Sequence, residues 1–141
     1  MKYLLSILVL FSGFSFGSKI HMICDTDYIF YPELKERRTI TLDLDKNHVD
    51  IYFIDNDGLS LKSVKWGDLA TTTSSFKWGN LSKYLASYRS ELNRKTGILI
   101  RKSGFENYIE YECKKVSAKK RSEATDELQI FMLENQKERK F

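Results

Sequence analysis

The acidic residues are the first candidates for chemistry, and they do not assemble into a site. Asp43, Asp45 and Asn47 place oxygen ligands at alternate positions, as the start of an EF-hand calcium loop does. Such a loop needs glycine at its sixth position and a bidentate glutamate at its twelfth. Here those positions hold His48 and Ile54. Asp55-Asn56-Asp57-Gly58 fails the same spacing, so both stretches read as hairpin turns. Asp50, Glu110 and Glu112 lie on strand-like segments, and a glycosidase would need two of them within roughly 5–10 Å. Their alternation places them on outward faces, where charge is solvated. His21 and His48 have no partner motif, no G-x-S-x-G segment surrounds a serine, and no glycine-rich loop opens a helix. Enzyme activity, a cofactor and a metal are therefore not expected.

The two cysteines, Cys24 and Cys113, carry a different chemistry. Without a C-x-x-C pair or a set of soft ligands, redox catalysis and metal binding lack support. In an oxidising compartment the pair reads as one structural disulfide closing a loop of roughly 90 residues. The N-terminus points to that compartment. Lys2 precedes the apolar run YLLSILVLF, and small and turn-forming residues follow, with Ser15 and Gly17 at −3 and −1 of a cleavage site. This is the pattern of a secretory signal peptide over residues 1–17. The run is too short, and too interrupted by Gly13 and Gly17, for a spanning helix of about 20 residues. Cys24 follows His21, Met22 and Ile23, a poor context for lipid attachment. The expected mature protein is periplasmic or secreted and does not span the membrane.

Charge is unevenly distributed. Residues 25–57 carry nine acidic and four basic side chains, whereas residues 58–122 carry fourteen basic and five acidic ones. The densest basic run contains Lys114, Lys115, Lys119, Lys120 and Arg121; it reads first as a solvated junction between the last strand and the tail, and alternatively as a contact for an anionic lipid or polysaccharide surface. Nucleic acid is not expected as a partner of an exported chain.

The elements that must position these residues are mostly strands. TITLDL (39–44) and HVDIYFI (48–54) alternate apolar and polar residues with period two, and Asp45-Lys46-Asn47 joins them as a turn. LSLKSVKW, SSFKW and LASYRSEL read as further strands. In LNRKTGILI, turn formers precede an apolar run and Gly97 is available for positive φ, which fits a hairpin with a glycine bulge. Ser103-Gly104 turns into NYIEYECKK, where Ile109, Tyr111 and Cys113 share the core face. The pattern predicts a mainly β fold, a small antiparallel barrel or sandwich of seven or eight strands. From Glu123 onward, Ala124, Leu128, Phe131 and Met132 form a helical stripe. The expected organisation is signal peptide 1–17, disulfide-linked β-domain 18–116, and basic junction with helical tail 117–141.

The hairpin LNRKTG followed by a strand carrying YECKKV resembles a loose group of small exported two-cysteine proteins of marine bacteria and their phages. The resemblance covers residues 92–116 with the signal peptide and Cys24. It implies export, a β-fold and pairing of the early cysteine with one on a late strand, and it implies no activity. The resulting expectation is a non-enzymatic exported binding or interaction module. Its partner would be an anionic envelope surface or a secreted protein. An inhibitor of a secreted hydrolase and an envelope-associated structural protein are the alternatives.

Overall fold

Among the described residues, period-two alternation builds eight strands, a two-residue ladder adds a ninth (β5), and one helix follows: β1 (Lys19–Thr26), β2 (Glu36–Asp43), β3 (His48–Ile54), β4 (Leu61–Trp66), β5 (Ala70–Thr71), β6 (Ser75–Asn80), β7 (Tyr88–Asn93), β8 (Ile98–Lys102), β9 (Tyr108–Val116) and α1 (Ala118–Glu138). The computed structural model describes residues 18–26, 36–55, 58–81, 87–102 and 107–138. The expected signal peptide lies outside these residues. So do Asn56 and Asp57 of one expected turn and Ser103-Gly104 of another.

The strands form one antiparallel sheet in the order β4-β3-β2-β1-β9-β8-β7-β6-β5. Every strand pairs with its neighbour in sequence except β4 and β5, and the first strand pairs with the last. Laid flat at about 4.8 Å per strand, this sheet would hold β4 and β5 roughly 38 Å apart. The chain from Trp66 to Ala70 is four residue steps and reaches at most about 14 Å. The sheet must therefore curl until its two edges nearly meet, giving a barrel-like wall with a seam between β4 and β5. Eight antiparallel steps separate these two strands in the sheet, so they run in the same direction. Asp68, in the link between them, accepts the N–H groups of Gly79 (3.0 Å) and Asn80 (2.6 Å) and so ties that link to β6.

Two features differ from the sequence expectation. Nine strands stand in place of seven or eight, because β5 is only two residues long and has no alternation to reveal it. They also belong to one continuous sheet, so the sandwich alternative does not apply.

The inner face supplies the core. Met22, Ile40, Leu42, Val49, Ile51, Phe76, Trp78, Leu92, Leu99 and Tyr111 form one buried cluster, with Cys24 among them and Cys113 packed against it. Cys24 stands directly opposite Cys113 in the β1–β9 register, and the two form a disulfide. Among the hydrogen-bonded neighbours of this sheet, β1 and β9 are the pair that no hairpin joins, so the covalent bond sits at the joint that the backbone leaves open.

The turn chemistry follows the residues. Asp43 Oδ1 accepts the Lys46 N–H, and Asn47 takes φ 54°. Asn93 Oδ1 accepts the N–H groups of Lys95 and Thr96 at 2.9 and 3.1 Å. Gly97 then adopts φ 73°, and its carbonyl accepts the Cys113 N–H at 2.9 Å. A Cβ at this position would lie 2.9 Å from the Cys113 carbonyl oxygen, which is backbone and cannot yield cheaply. Gly97→Ala should therefore cost about 1–3 kcal/mol of stability from the left-handed strain together with this clash. Urea denaturation would read it as a lower midpoint with unchanged slope, and an unchanged midpoint would show that the bulge relaxes freely.

Helix α1 begins five residues before the predicted Glu123. Lys119, Lys120 and Arg121 thus occupy its first turns and not a junction. Basic residues oppose the helix dipole there. Ser117 offsets this by accepting the Lys120 N–H on its Oγ at 3.2 Å, an N-cap. The predicted stripe holds in part, with Ala124 and Leu128 buried and Phe131 and Met132 half-buried. The helix lies on the outer face of β1–β4. Thr125 shares a 2.8 Å hydrogen bond with Thr39, which is fully buried. Further along, Met132 Sδ accepts the Leu61 N–H, and Asn135 and Gln136 donate to the carbonyls of Gly58 and Leu59. Strand β2 is consequently covered on both faces.

Candidate functional site

The curl of the sheet sorts the chain into two ends. At one end lie the β2–β3 turn, the β7–β8 turn and the step from β9 into α1. The predicted basic residues gather here. Lys114 and Lys115 stand opposite Ile23 and Met22 near the end of β9, and Lys119 and Lys120 follow in the first turn of α1. The sequence run is joined by residues from elsewhere: Lys19 at the start of β1, and Lys95 in the hairpin whose Gly97 is bonded to Cys113. All six lysines are exposed, and none forms an ion pair with another described residue. Most other cations of the sheet do. Arg37 meets Asp25 at 2.7 Å, and Lys62, Lys65 and Lys77 each face an acid within 4.0 Å. Asp43 and Asp45 lie at the same end, the first largely buried and committed to its turn.

Arg121 behaves differently from the rest of the predicted run. It is half-buried with its guanidinium 5.1 Å from the centroid of the Tyr52 ring, so it serves to dock the helix. Burial lowers its pKa, against the attraction of Tyr52 and Asp50. The field of this end is visible at His21, whose imidazole hydrogen-bonds Thr41 at 2.9 Å. Burial, then the charges of Arg121 and Lys19, push its pKa below the usual histidine value.

The predicted acidic candidates are not brought together. Asp50 on β3 faces Lys65 at 3.7 Å, and three strand steps, about 14 Å, separate β3 from β9, which carries Glu110 and Glu112. No group of three metal-ligating side chains occurs among the described residues.

At the opposite end, the inner face holds a polar cluster that sequence reasoning missed. Glu36 and Arg38 point inward from β2, Arg101 from β8 and Tyr111 from β9. Arg38 Nε and Nη2 donate to Glu36 Oε1 at 3.1 and 2.9 Å. The Tyr111 hydroxyl oxygen accepts from Arg38 Nε at 3.1 Å and Arg101 Nε at 3.2 Å. Arg101 Nη2 lies 3.7 Å from Glu36, and the Arg38 guanidinium stacks 4.0 Å from the Phe53 ring centroid. Burial raises the Tyr111 pKa, with Glu36 adding to the shift and the two arginines opposing it, so the phenol is neutral at neutral pH. The signal that could have found this cluster is parity. Arg38 is two residues from Ile40 and four from Leu42, so it shares their inward face.

No protein-family model matches the chain, and no match was found among curated proteins or solved structures. Among the described residues, no helix is long and apolar enough to cross a membrane.

Proposed function

We propose that this protein is a non-enzymatic exported binding module that engages an anionic envelope surface, lipid or acidic polysaccharide, through its basic end. The observation that carries this reading is the convergence on one end of the sheet of six exposed lysines from four chain segments (β1, the β7–β8 turn, β9 and α1), none of them ion-paired with a described residue. Three of those segments hold their lysines on rigid, hydrogen-bonded elements, which keeps the charges together without ordering a loop on binding. The rival in which the barrel interior holds an apolar ligand draws less support. Between its two ends that interior is filled by Ile40, Leu42, Leu99 and Val49, all essentially inaccessible.

Lysines near an anionic membrane contribute about 1 kcal/mol each at low ionic strength. Replacing Lys114, Lys115, Lys119 and Lys120 by glutamine, with Arg121 left to hold the helix, should lower affinity for phosphatidylserine-containing vesicles at least tenfold. Raising salt from 0.01 to 0.15 M shrinks the screening length from about 30 to about 8 Å and should remove most wild-type binding. Vesicle co-sedimentation reads both effects. Equal binding by wild type and the fourfold variant at low salt would refute the reading.

A further inference from the structure

The basic end makes no use of the opposite end of the curled sheet, where the inner face carries more hydrogen-bond donors than acceptors. Two guanidinium groups, Arg38 and Arg101, share one carboxylate, Glu36, which meets them through a single oxygen, Oε1. Both also donate to the one hydroxyl oxygen of Tyr111. The row continues across the sheet, since Arg101 stands opposite Ser90 and Ser90 opposite Trp78. Trp78 is 1 % exposed, and its indole N–H has no acceptor among the described residues. An indole nitrogen can only donate, so the group lacks a partner that an acceptor atom would supply. Among the described residues the charges show the same imbalance, with two cations, Arg38 and Arg101, against one anion, Glu36, in a place where an uncompensated charge is costly.

We propose that this end of the sheet binds the carboxylate of a small organic acid, held between Arg38 and Arg101, with the Trp78 N–H and Ser90 on the flank of the site. One added negative charge balances the surplus of one, which favours a monoanionic carboxylate over a phosphate dianion. Planar guanidinium forks also match a carboxylate in two-point geometry. Arg101 and Glu36 keep 21 % and 17 % of their side chains exposed, so the cluster reaches the surface. Phe53 beneath Arg38, and Ile109 opposite Arg101, offer apolar ground for the hydrocarbon part of the acid. Benzoate is therefore a suitable probe.

The test is a titration of the isotopically labelled protein with sodium benzoate, at constant ionic strength maintained with sodium chloride. The Trp78 indole N–H and the Arg38 and Arg101 Nε–H resonances should move saturably. Arg101→Gln should weaken benzoate at least tenfold, and Trp78→Phe, which keeps an aromatic ring and removes the donor, should weaken it as well. The fourfold lysine variant should bind benzoate as the wild type does, which separates this site from the basic end. Shifts that never saturate, or that chloride alone reproduces, would overturn the proposal even if a variant failed to fold. Phosphate binding more tightly than benzoate would overturn the choice of a carboxylate.

Discussion

Breaking the Cys24–Cys113 bond, by reduction or by paired substitution with alanine, is expected to lower the free energy of unfolding by about 4–5 kcal/mol. The bond spans 89 residues, and cross-linking a loop of that length restricts the unfolded chain by this amount on the entropy model. Small domains are stable by only about 5–15 kcal/mol, so the loss would bring this one close to its threshold. The location sharpens the expectation. Each other pair of hydrogen-bonded neighbours is also joined by the chain within a hairpin, whereas β1 and β9 find each other across nearly the whole domain. Urea titrations with and without reductant give the difference, and intact mass confirms the redox state. A reduced protein with the same midpoint as the oxidised one would show that the β1–β9 ladder holds by itself.

Removing α1 by ending the chain after Ser117 should cost a similar amount. Burial of Leu128 contributes about 1.5–3 kcal/mol, and with half-buried Phe131 and Met132 the helix contributes roughly 3–6 kcal/mol. The bonds of Thr125, Met132, Asn135 and Gln136 to the sheet would go with it. The inner core and the disulfide remain, so a folded sheet of lower stability is expected. Circular dichroism should lose its helical component, and thermal melting should stay cooperative at a lower midpoint. Leu128→Ala gives an intermediate test, and a melting point unchanged by either alteration would mean that the helix merely rests on the sheet. Loss of all cooperative folding would make the helix part of the core.

Much of the β-domain was legible because it rests on local rules. Alternation in 48–54 and 107–115 located β3 and β9, the turn formers of LNRKTG with Gly97 located the β7–β8 turn, and parity put Cys113 on the core face. What escaped reading is of three physical kinds. Strand order is non-local: the expected Cys24–Cys113 bond brings β1 and β9 together, but nothing in the sequence gives their register or says that β4 and β5 lie across a seam. The start of α1 was misplaced because charge near a helix end is a weak preference, here overridden by the Ser117 cap and the packing of Arg121 on Tyr52. Arg38 and Glu36 lie outside the expected strand 39–44 and escaped reading, since buried charge breaks the apolar pattern that identifies a core. The lysines of the basic run were visible as a run, but their company of Lys19 and Lys95 depends on the folded sheet.

The pairing of first strand with last also sets a timetable. A chain emerging residue by residue presents β1 long before β9 exists, and the hairpins β2–β3 and β7–β8 can form while β1 has still to meet its second neighbour. Closure therefore waits until residue 116 is available, and contacts of such long separation form slowly. In that interval one edge of β1 is open to other chains, and Cys24 has yet to meet its partner. If the protein is exported as proposed above, the delay has a use: the chain stays unclosed, and so threadable, until the last strand has arrived.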